Sequence, residues 1–195
     1  MTAVVGSDGR ARCPWGLSAA EFLAYHDEEW GRPLYRDAEL FERLSLEAFQ
    51  SGLSWLTILR KRDGFRGAFA GFDPAAVAAF DESDVHRLLA DTAIVRNRAK
   101  IEATIRNARA VLDLELPLGT LLWSFAPLAG ARPRPSTMDD VPATTPEAVA
   151  MARELKRRGF AFVGPTTCYA MMQAVGIVDD HVVGCWRAAE DVAAG

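Results

Sequence analysis

The sequence has few of the features that define several large classes of protein. Its 195 residues include only three cysteines and three histidines, and no run of eighteen apolar residues occurs. We therefore expect no membrane-spanning segment. The opening residues, MTAVVGSDGRARCPWG, have no apolar stretch typical of a signal peptide, and an odd cysteine count favours reduced thiols. These features predict a cytoplasmic protein.

An excess of positive charge is also lacking. The formal net charge is -4 and the sequence pI is ≈ 5.4, which taken alone counts against binding to nucleic acid. Basic residues nevertheless cluster at residues 60–62, 96–100 and 156–158. Each cluster is either a patch that contacts phosphates or an ordinary solvated helix face.

Strand signals are scarce, whereas helix signals occur along the whole chain. Ser18 followed by Glu21 is typical of a capping box. Ser54, Asp73 and Thr145 each occupy a position where an N-cap residue would precede a helix. The pattern predicts an all-α protein of many short helices.

The length allows one domain with a real core, or two small lobes that share a core. We expect a single all-α domain of two lobes at residues 12–187. A flexible N-terminal tail at residues 1–11 and a C-terminal tail at residues 188–195 would flank it.

Glu47 is a carboxylate in an unusual place. In the segment LSLEAFQSGLSWLTILRKR, residues 44–62, helical spacing puts it at the edge of an apolar stripe beside Leu44 and Ala48. The charged face that contains Arg43 points elsewhere. Glu47 therefore either lines a pocket, or reaches solvent or pairs with an arginine.

Two pairs of metal-ligand residues lie near the two ends of the chain: Cys13 with His26, and His181 with Cys185. On a helix, residues four apart share a face, so His181 and Cys185 suit one ion. Thiolate and imidazole together favour zinc, and four such ligands leave no position for a reactive water. Such a zinc would be structural and would join the two ends. The alternative is a set of ordinary buried thiols and hydrogen-bonded imidazoles.

A second motif lies in LKRRGFAFVGPTTCYAMMQAVG, residues 155–176. The pattern predicts two helices joined by a tight turn around Gly164. Free backbone N–H groups at the start of the second helix can bind a phosphate without reading sequence. The alternative is an ordinary helix end followed by a helix–helix turn.

Several long segments, in order along residues 12–185, match one known family. They are RCPWG, YHDEEWGRP, LFERLSLEAFQSGLSWLTILRKR, FDPAAVAAF, AIVRNRAKIEATIRNARA, LWSF and KRRGFAFVGPTTCYAMMQAVGIVDDHVVGC. The sequence resembles the bacterial DNA-3-methyladenine glycosylase I family of the helix-hairpin-helix glycosylase superfamily. The resemblance implies a helix-hairpin-helix DNA glycosylase fold with a zinc site joining the N- and C-terminal regions. One structural zinc ion would be bound by Cys13, His26, His181 and Cys185.

The resemblance also implies a base pocket. Glu47 matches the acidic residue of that pocket and would be the catalytic residue. The aromatic residues around the base are matched by Trp15, Tyr25 and Trp55. Phe22 stands where some members have a tyrosine, so one hydrogen bond would be lost while stacking is kept. Trp30 is expected to serve packing alone.

The implied DNA contacts lie in two turns. They are Gly52, Leu53 and Ser54, opposite the lesion, and Gly164, Pro165 and Thr166, at the DNA backbone. Leu53 would act as a wedge between base steps, although an apolar residue after a helix end is also common. Thr166 replaces the second glycine of the superfamily hairpin. Asp179 and Asp180 lie near the place of the superfamily's catalytic aspartate, and we assign neither that role because Asp180 precedes a metal ligand.

The activity implied is base-excision repair by a monofunctional glycosylase. The enzyme would flip 3-methyladenine out of alkylated double-stranded DNA and hydrolyse its N-glycosidic bond, with water as nucleophile because no matched pocket position is a lysine. Lys61 and Lys100 would contact phosphates. A monomer suffices for this activity. The alternatives are a non-catalytic sensor of alkylated DNA and a zinc hydrolase of small molecules.

Overall fold

The computed structural model describes residues 1–128 and 131–190, and within them the chain is mostly helical. The α-helices there are α1 (Ala20–Glu28), α2 (Asp37–Gln50), α3 (Trp55–Ala68), α4 (Pro74–Ala78), α5 (Glu82–Ala90), α6 (Arg98–Leu112), α7 (Leu118–Trp123), α8 (Pro146–Arg157), α9 (Pro165–Ala174) and α10 (Trp186–Glu190). Short 3₁₀ helices cover Pro14–Leu17, Ala70–Phe72 and Met138–Asp140, and two short strands are β1 (Val4–Val5) and β2 (Ala11–Arg12). The predicted all-α class is confirmed. None of the described helices is both long and apolar enough to cross a membrane.

Local capping explains where several helices begin. The side chains of Ser54, Asp73 and Thr145 each accept a hydrogen bond from a backbone N–H in the first turn of α3, α4 and α8, as predicted. The predicted capping box at Ser18 is wrong. Its hydroxyl donates to the backbone carbonyl of Trp15 at 2.7 Å, within the preceding 3₁₀ helix, and no side chain caps α1.

The two predicted tails differ from the structure. Residues 1–11 are not a loose tail, because β1 pairs antiparallel with β2. Arg12 is buried, and its guanidinium contacts the carboxylates of Asp8 at 2.6 Å and Asp27 at 2.7 Å, so it links this hairpin to α1. At the other end α10 continues beyond residue 187, and residues 191–195 lie outside the described residues.

The second helix, α2, is enclosed by its neighbours. It packs against α3, α6, α7 and α9, and buries nine of its fourteen residues. Side chains at the edge of its apolar stripe are therefore covered as well. Arg43 and Glu47 are only 7% and 5% exposed. The prediction that Arg43 points away from the buried side is wrong, because several elements cover α2.

The main hydrophobic core is built around α2 and contains Phe41, Phe49 and Cys168, and a second, smaller core joins the two ends of the chain. The smaller core contains Cys13, Tyr25 and Trp30 from the N-terminal region and Val182 and Cys185 from the C-terminal region. Each large apolar side chain buried in this way contributes about 1.5–3 kcal/mol to folding. This packing brings residues from both ends of the sequence close to α2 and α3.

Candidate functional site

A cavity of ≈ 370 Å³ lies between the 3₁₀ helix at residues 14–17 and helices α1, α2, α3 and α9. Its wall includes all five side chains that the sequence predicted for a base pocket: Trp15, Phe22, Tyr25, Glu47 and Trp55. They come from four separate elements. The structure thus brings these residues to one place, where aromatic surface surrounds a single acid.

The aromatic rings form a continuous wall. The ring centroid of Trp15 lies 5.9 Å from that of Phe22 and 5.1 Å from that of Trp30, both edge-on. The centroids of Tyr25 and Trp55 are 5.5 Å apart. These separations are favourable for aromatic pairs, and the ring faces attract cations. Trp30, expected to serve packing alone, also lines the cavity.

Glu47 is the only carboxylate in the cavity wall among the described residues. Its side chain is 5% exposed and has no hydrogen-bond partner among the described residues. Burial raises the pKa of Glu47 to about 7, and the positive charge of Arg43 opposes that rise. Glu47 therefore faces the cavity and not the outer surface of the protein, and it forms no ion pair with another described residue. Because an unpartnered buried carboxylate destabilises a fold, its position calls for a functional reason.

Arg43 supports the aromatic wall from outside the cavity. Its guanidinium donates to the hydroxyl of Tyr25 at 3.0 Å and to the carboxylate of Glu29 at 3.2 Å. The guanidinium carbon lies 5.1 Å from the ring centroid of Tyr25 and 5.8 Å from that of Trp55. Arg62 donates to the same Glu29 carboxylate at 2.6 Å. Arg43 and Arg62 thus share one carboxylate, and Arg43 contacts both rings.

The sequence did not predict the rest of the wall. Besides Trp30 it comprises Gln50, Met138, Val141, Ala170 and Gln173. The amide of Gln173 donates to Asp180 at 2.8 Å, and Asp180 also accepts hydrogen bonds from Tyr169 and Arg132. Residues 138–173 lie far from Glu47 in sequence, so no spacing pattern connects them. The only available signal was the long matched segment that contains Gln173.

Three of the four predicted metal ligands form one compact group. The ligand atoms of Cys13, His26 and Cys185 all lie within 4.8 Å of one another, and all three residues are buried. His181 is outside this group, but its ring centroid is 5.3 Å from that of His26. Its Nε2 is buried without a hydrogen-bond partner among the described residues. Such a group is able to hold a metal ion.

Both histidines are oriented as metal ligands usually are. Nδ1 of His26 lies 2.8 Å from a carboxylate oxygen of Asp27, and Nδ1 of His181 lies 2.8 Å from one of Asp179. A carboxylate at Nδ1 favours the tautomer whose Nε2 is free to bind a metal. The unpartnered Nε2 of His181 and the two thiols therefore fit a thiophilic cation such as zinc.

The turn between α2 and α3 lies on the surface. Gly52 has a φ of 79°, a conformation that glycine adopts without strain. Leu53 is 42% exposed, so its side chain is not part of the core. Ser54 caps α3 by accepting from the backbone N–H of Thr57 at 3.2 Å. The structure thus leaves an apolar side chain exposed just beyond Gln50 of the cavity wall.

The two helices predicted on either side of the turn around Gly164 are α8 and α9, which pack together. Gly164 precedes α9, Pro165 is its first residue, and Thr166 is exposed. A Cβ at Gly164 would meet no atom within 4 Å, so no other described group covers that side of the residue. Asn107 of α6 holds the turn through hydrogen bonds to the backbone N–H and carbonyl of Ala161, at 2.7 and 3.1 Å.

Several cations of the predicted basic clusters are used within the protein. Lys100 is buried and its ammonium donates to two backbone carbonyls, so the prediction that it contacts phosphates is wrong. Lys61 donates to a backbone carbonyl at 2.8 Å. Arg157 and Arg158 both pair with Glu154. These contacts reduce the number of cations available to DNA.

Known proteins match this chain over most of its length, including the residues of the cavity wall. The profile of a family described as methyladenine glycosylase matches residues 15–188. DNA-3-methyladenine glycosylase 1 of Escherichia coli (strain K12) is 46% identical over 177 residues, covering 89% of this chain and 95% of that protein. A crystal structure of 3-methyladenine DNA glycosylase I superposes with a TM-score of 0.85 at 46% identity, covering 90% of this chain and 98% of the other. A structure concerned with 3-methyladenine recognition by the Staphylococcus aureus enzyme gives a TM-score of 0.83 at 34% identity, with coverages of 90% and 95%.

Proposed function

The chain belongs to the methyladenine glycosylase family, and from that membership we propose that it excises 3-methyladenine from alkylated double-stranded DNA in base-excision repair. The observation that carries the proposal is the cavity in which aromatic rings surround one buried carboxylate. A base inside a duplex is out of reach of any side chain, so the target nucleotide must be extruded and its base stacked in such a cavity.

The cavity suits a cationic purine. Methylation at N3 gives adenine a positive charge in DNA, and a cation gains about 0.5–2 kcal/mol from each contact with an aromatic face. Trp15, Tyr25 and Trp55 offer such faces, and Phe22 offers one without a hydroxyl. The carboxylate of Glu47 would accept a charge-assisted hydrogen bond from the base edge.

The reaction needs little acid catalysis. Water attacks C1′ of the deoxyribose, the N-glycosidic bond breaks, and its electron pair leaves with the base as neutral 3-methyladenine. The proton of the attacking water passes to solvent or to the Glu47 carboxylate. No lysine lines the cavity among the described residues, so a covalent amine intermediate has no nucleophile, and the enzyme is monofunctional.

Two turns would contact the duplex. Leu53, exposed between α2 and α3, would enter the base stack and offset part of the cost of extrusion. Gly52 and Ser54 would flank it. The start of α9, at Gly164, Pro165 and Thr166, would bind the DNA backbone in the manner of a helix-hairpin-helix motif, because the first N–H groups of a helix lack helical partners; here Gly164 and Thr166 offer such groups and Pro165 does not.

A single structural zinc ion would be held by Cys13, His26, His181 and Cys185. Zinc would supply a tetrahedral link between the chain's two ends, and four protein ligands leave no open position for hydrolysis. The proposal needs no partner subunit, and it includes a monomer with reduced thiols in the cytoplasm.

Single-turnover release of free 3-methyladenine from methylated duplex DNA tests the function. The wild-type protein should release the base well above the spontaneous rate. Glu47→Gln should lower the rate about 10- to 100-fold, because a charged hydrogen bond contributes about 1.5–3 kcal/mol. Glu42→Gln, on the same helix but paired with Arg66 outside the cavity, is the matched control. Tight binding without release would favour a non-catalytic sensor.

A further inference from the structure

Lys100 is a buried lysine whose role the proposed chemistry leaves unexplained. It lies in the first turn of α6 and is 7% exposed. Its ammonium donates to the carbonyl of Phe49 at 2.9 Å and to that of Ser51 at 2.6 Å. It forms no ion pair with a carboxylate among the described residues, and burial lowers its pKa. Both acceptors lie at the C-terminal end of α2, where carbonyls lack helical partners.

The segment that follows is a type II β-turn. The backbone N–H of Leu53 donates to the carbonyl of Gln50 at 2.6 Å, which closes a four-residue turn. Ser51 has φ -47° and ψ 115°, and Gly52 has φ 79°, as the two central residues of a type II turn require. Type I and type II turns differ in the orientation of the central peptide group. The carbonyl of that group belongs to Ser51, and Lys100 binds it.

Packing does not fix this peptide group. A Cβ at Gly52 would meet no heavy atom within 4 Å, and Leu53 and Ser54 are exposed. The ammonium of Lys100 is thus the contact that reaches the central peptide from the protein interior. The same ammonium also binds the backbone carbonyl of Phe49, two residues after Glu47. Lys100 therefore connects the end of α2, which carries Glu47, to the turn that carries Leu53.

We propose that Lys100 is a positioning residue that keeps the 50–53 turn in its type II form and so directs Leu53 into the DNA base stack. The inference rests on the proposed function, since a wedge matters only if a base is extruded from a duplex. It assigns Lys100 to the opening of the duplex, and not to the cavity that receives the base.

The test compares duplex and single-stranded substrates. Lys100→Met keeps the length of the side chain and removes its donors. We expect the single-turnover rate of 3-methyladenine release to fall about 10- to 100-fold on methylated duplex DNA, as small misplacements of positioned groups do. On a methylated single strand, which needs no wedge, the rate should change less than about 3-fold. Binding of free 3-methyladenine, followed by tryptophan fluorescence, should be unchanged.

Two further variants serve as controls. Arg109→Met, on the same helix, removes a cation that donates to the carbonyls of Ala78 and Phe80, both at 2.9 Å, away from the turn. It should behave as wild type on both substrates. Lys100→Arg keeps the donors and should recover part of the duplex rate. If Lys100→Met does not fold, Lys100→Gln, which keeps one donor group, replaces it.

A double-mutant cycle with Leu53→Ala completes the experiment. If Lys100 acts through Leu53, the two losses on duplex DNA will not add. Additive losses, equal losses on duplex and single strand, an unchanged duplex rate, or weaker binding of the free base would each overturn the inference. A wild-type protein that releases no base from either substrate would instead overturn the proposed function.

Discussion

At the scale of single residues, Glu47 occupies a position that weakens the fold. Its ordinary pKa of 4.5 is raised to about 7 by burial, so the folded state binds a proton more tightly than the unfolded state does. The stability linked to this proton is complete below the ordinary pKa and is lost as the pH rises through about 7. The difference corresponds to about 3 kcal/mol at alkaline pH. A residue kept at that cost in the wall of a cavity is more readily explained by binding than by folding.

Replacing this carboxyl group should therefore stabilise the protein. Glu47→Gln should raise the free energy of unfolding at pH 8 by up to about 3 kcal/mol, and by less than about 1 kcal/mol at pH 5, where the native carboxyl is already protonated. Urea denaturation at the two pH values measures this. Glu42→Gln, whose carboxylate pairs with Arg66, should show no such gain. A gain for Glu47→Gln that is equal at both pH values would contradict the titration of Glu47.

The ionisation of Glu47 should also change the rate of base excision. Because a carboxylate and not a carboxylic acid attracts the cationic base, kcat/KM for excision should increase as the pH rises through about 7, and kcat/KM reports the free enzyme. Burial raises the pKa of the adjacent Tyr25, which therefore stays neutral over this range, and Arg43 stays charged. Glu47→Gln should lack the increase. A wild-type profile that is flat between pH 6 and 8 would exclude Glu47 as the ionising group.

At the scale of elements, the sequence predicted features that depend on neighbouring residues, such as helix caps. It missed features that depend on packing between helices, such as the burial of Arg43. Ser54, Asp73 and Thr145 cap their own helices, so their roles can be read from the local pattern. Ser18 fails as a cap because α1 begins at Ala20, so that Ala19 occupies the N-cap position, and the Ser18 hydroxyl instead donates to the carbonyl of Trp15. Arg43 is buried only because other helices close over α2, and no periodicity within α2 shows that.

The cavity shows the same difference between features that depend on neighbouring residues and features that depend on packing. Glu47 was noticeable because its charge did not fit its helical position, and the aromatic residues near it lie in segments with a family match. Met138 and Gln173 join the wall through the placement of distant segments, which a single sequence does not reveal. Cys13, His26 and Cys185 could be predicted as metal ligands from their residue types alone. The sequence could not show that their ligand atoms lie close together in space.

The turn after α2 provides a prediction for an element. Gly52→Ala places a Cβ in open space but on a backbone with φ 79°, which costs a residue with a side chain about 1–2 kcal/mol. We expect a lower melting temperature and slower excision from duplex DNA. Gly67→Ala is the matched control, because its Cβ is also unobstructed but its backbone is helical, and it should be neutral or slightly stabilising. Equal behaviour of the two variants would exclude strain at Gly52.

At the scale of the whole molecule, the two ends of the chain are held together by one small region. Cys13 and Cys185 lie in the same buried group, and Asp27 is hydrogen-bonded to Arg12, His26 and the indole of Trp186. The aromatic wall begins two residues after Cys13, at Trp15. The closure of the chain and the shape of the cavity therefore depend on the same few contacts.

A bound zinc would strengthen this closure. A link between residues 13 and 185 restricts the unfolded chain over a long loop, and by analogy with a disulfide it contributes about 2–5 kcal/mol. We expect about one zinc per wild-type chain by elemental analysis, and a lower melting temperature after treatment with a chelator. Cys185→Ser should lose both the zinc and the response to chelator.

The remaining cysteine separates zinc binding from ordinary packing. Cys168 is buried in the main core, outside the metal group, and its thiol faces the carbonyl of Val163 at 3.8 Å. Cys168→Ser should lower the melting temperature while the zinc content and the response to chelator stay at the wild-type level. If both serine variants lose stability equally and neither changes the zinc content, the two ends are joined by packing alone. If Cys185→Ser loses zinc yet still excises 3-methyladenine at low temperature, the metal holds the fold and takes no part in the reaction, as a closed ligand shell requires.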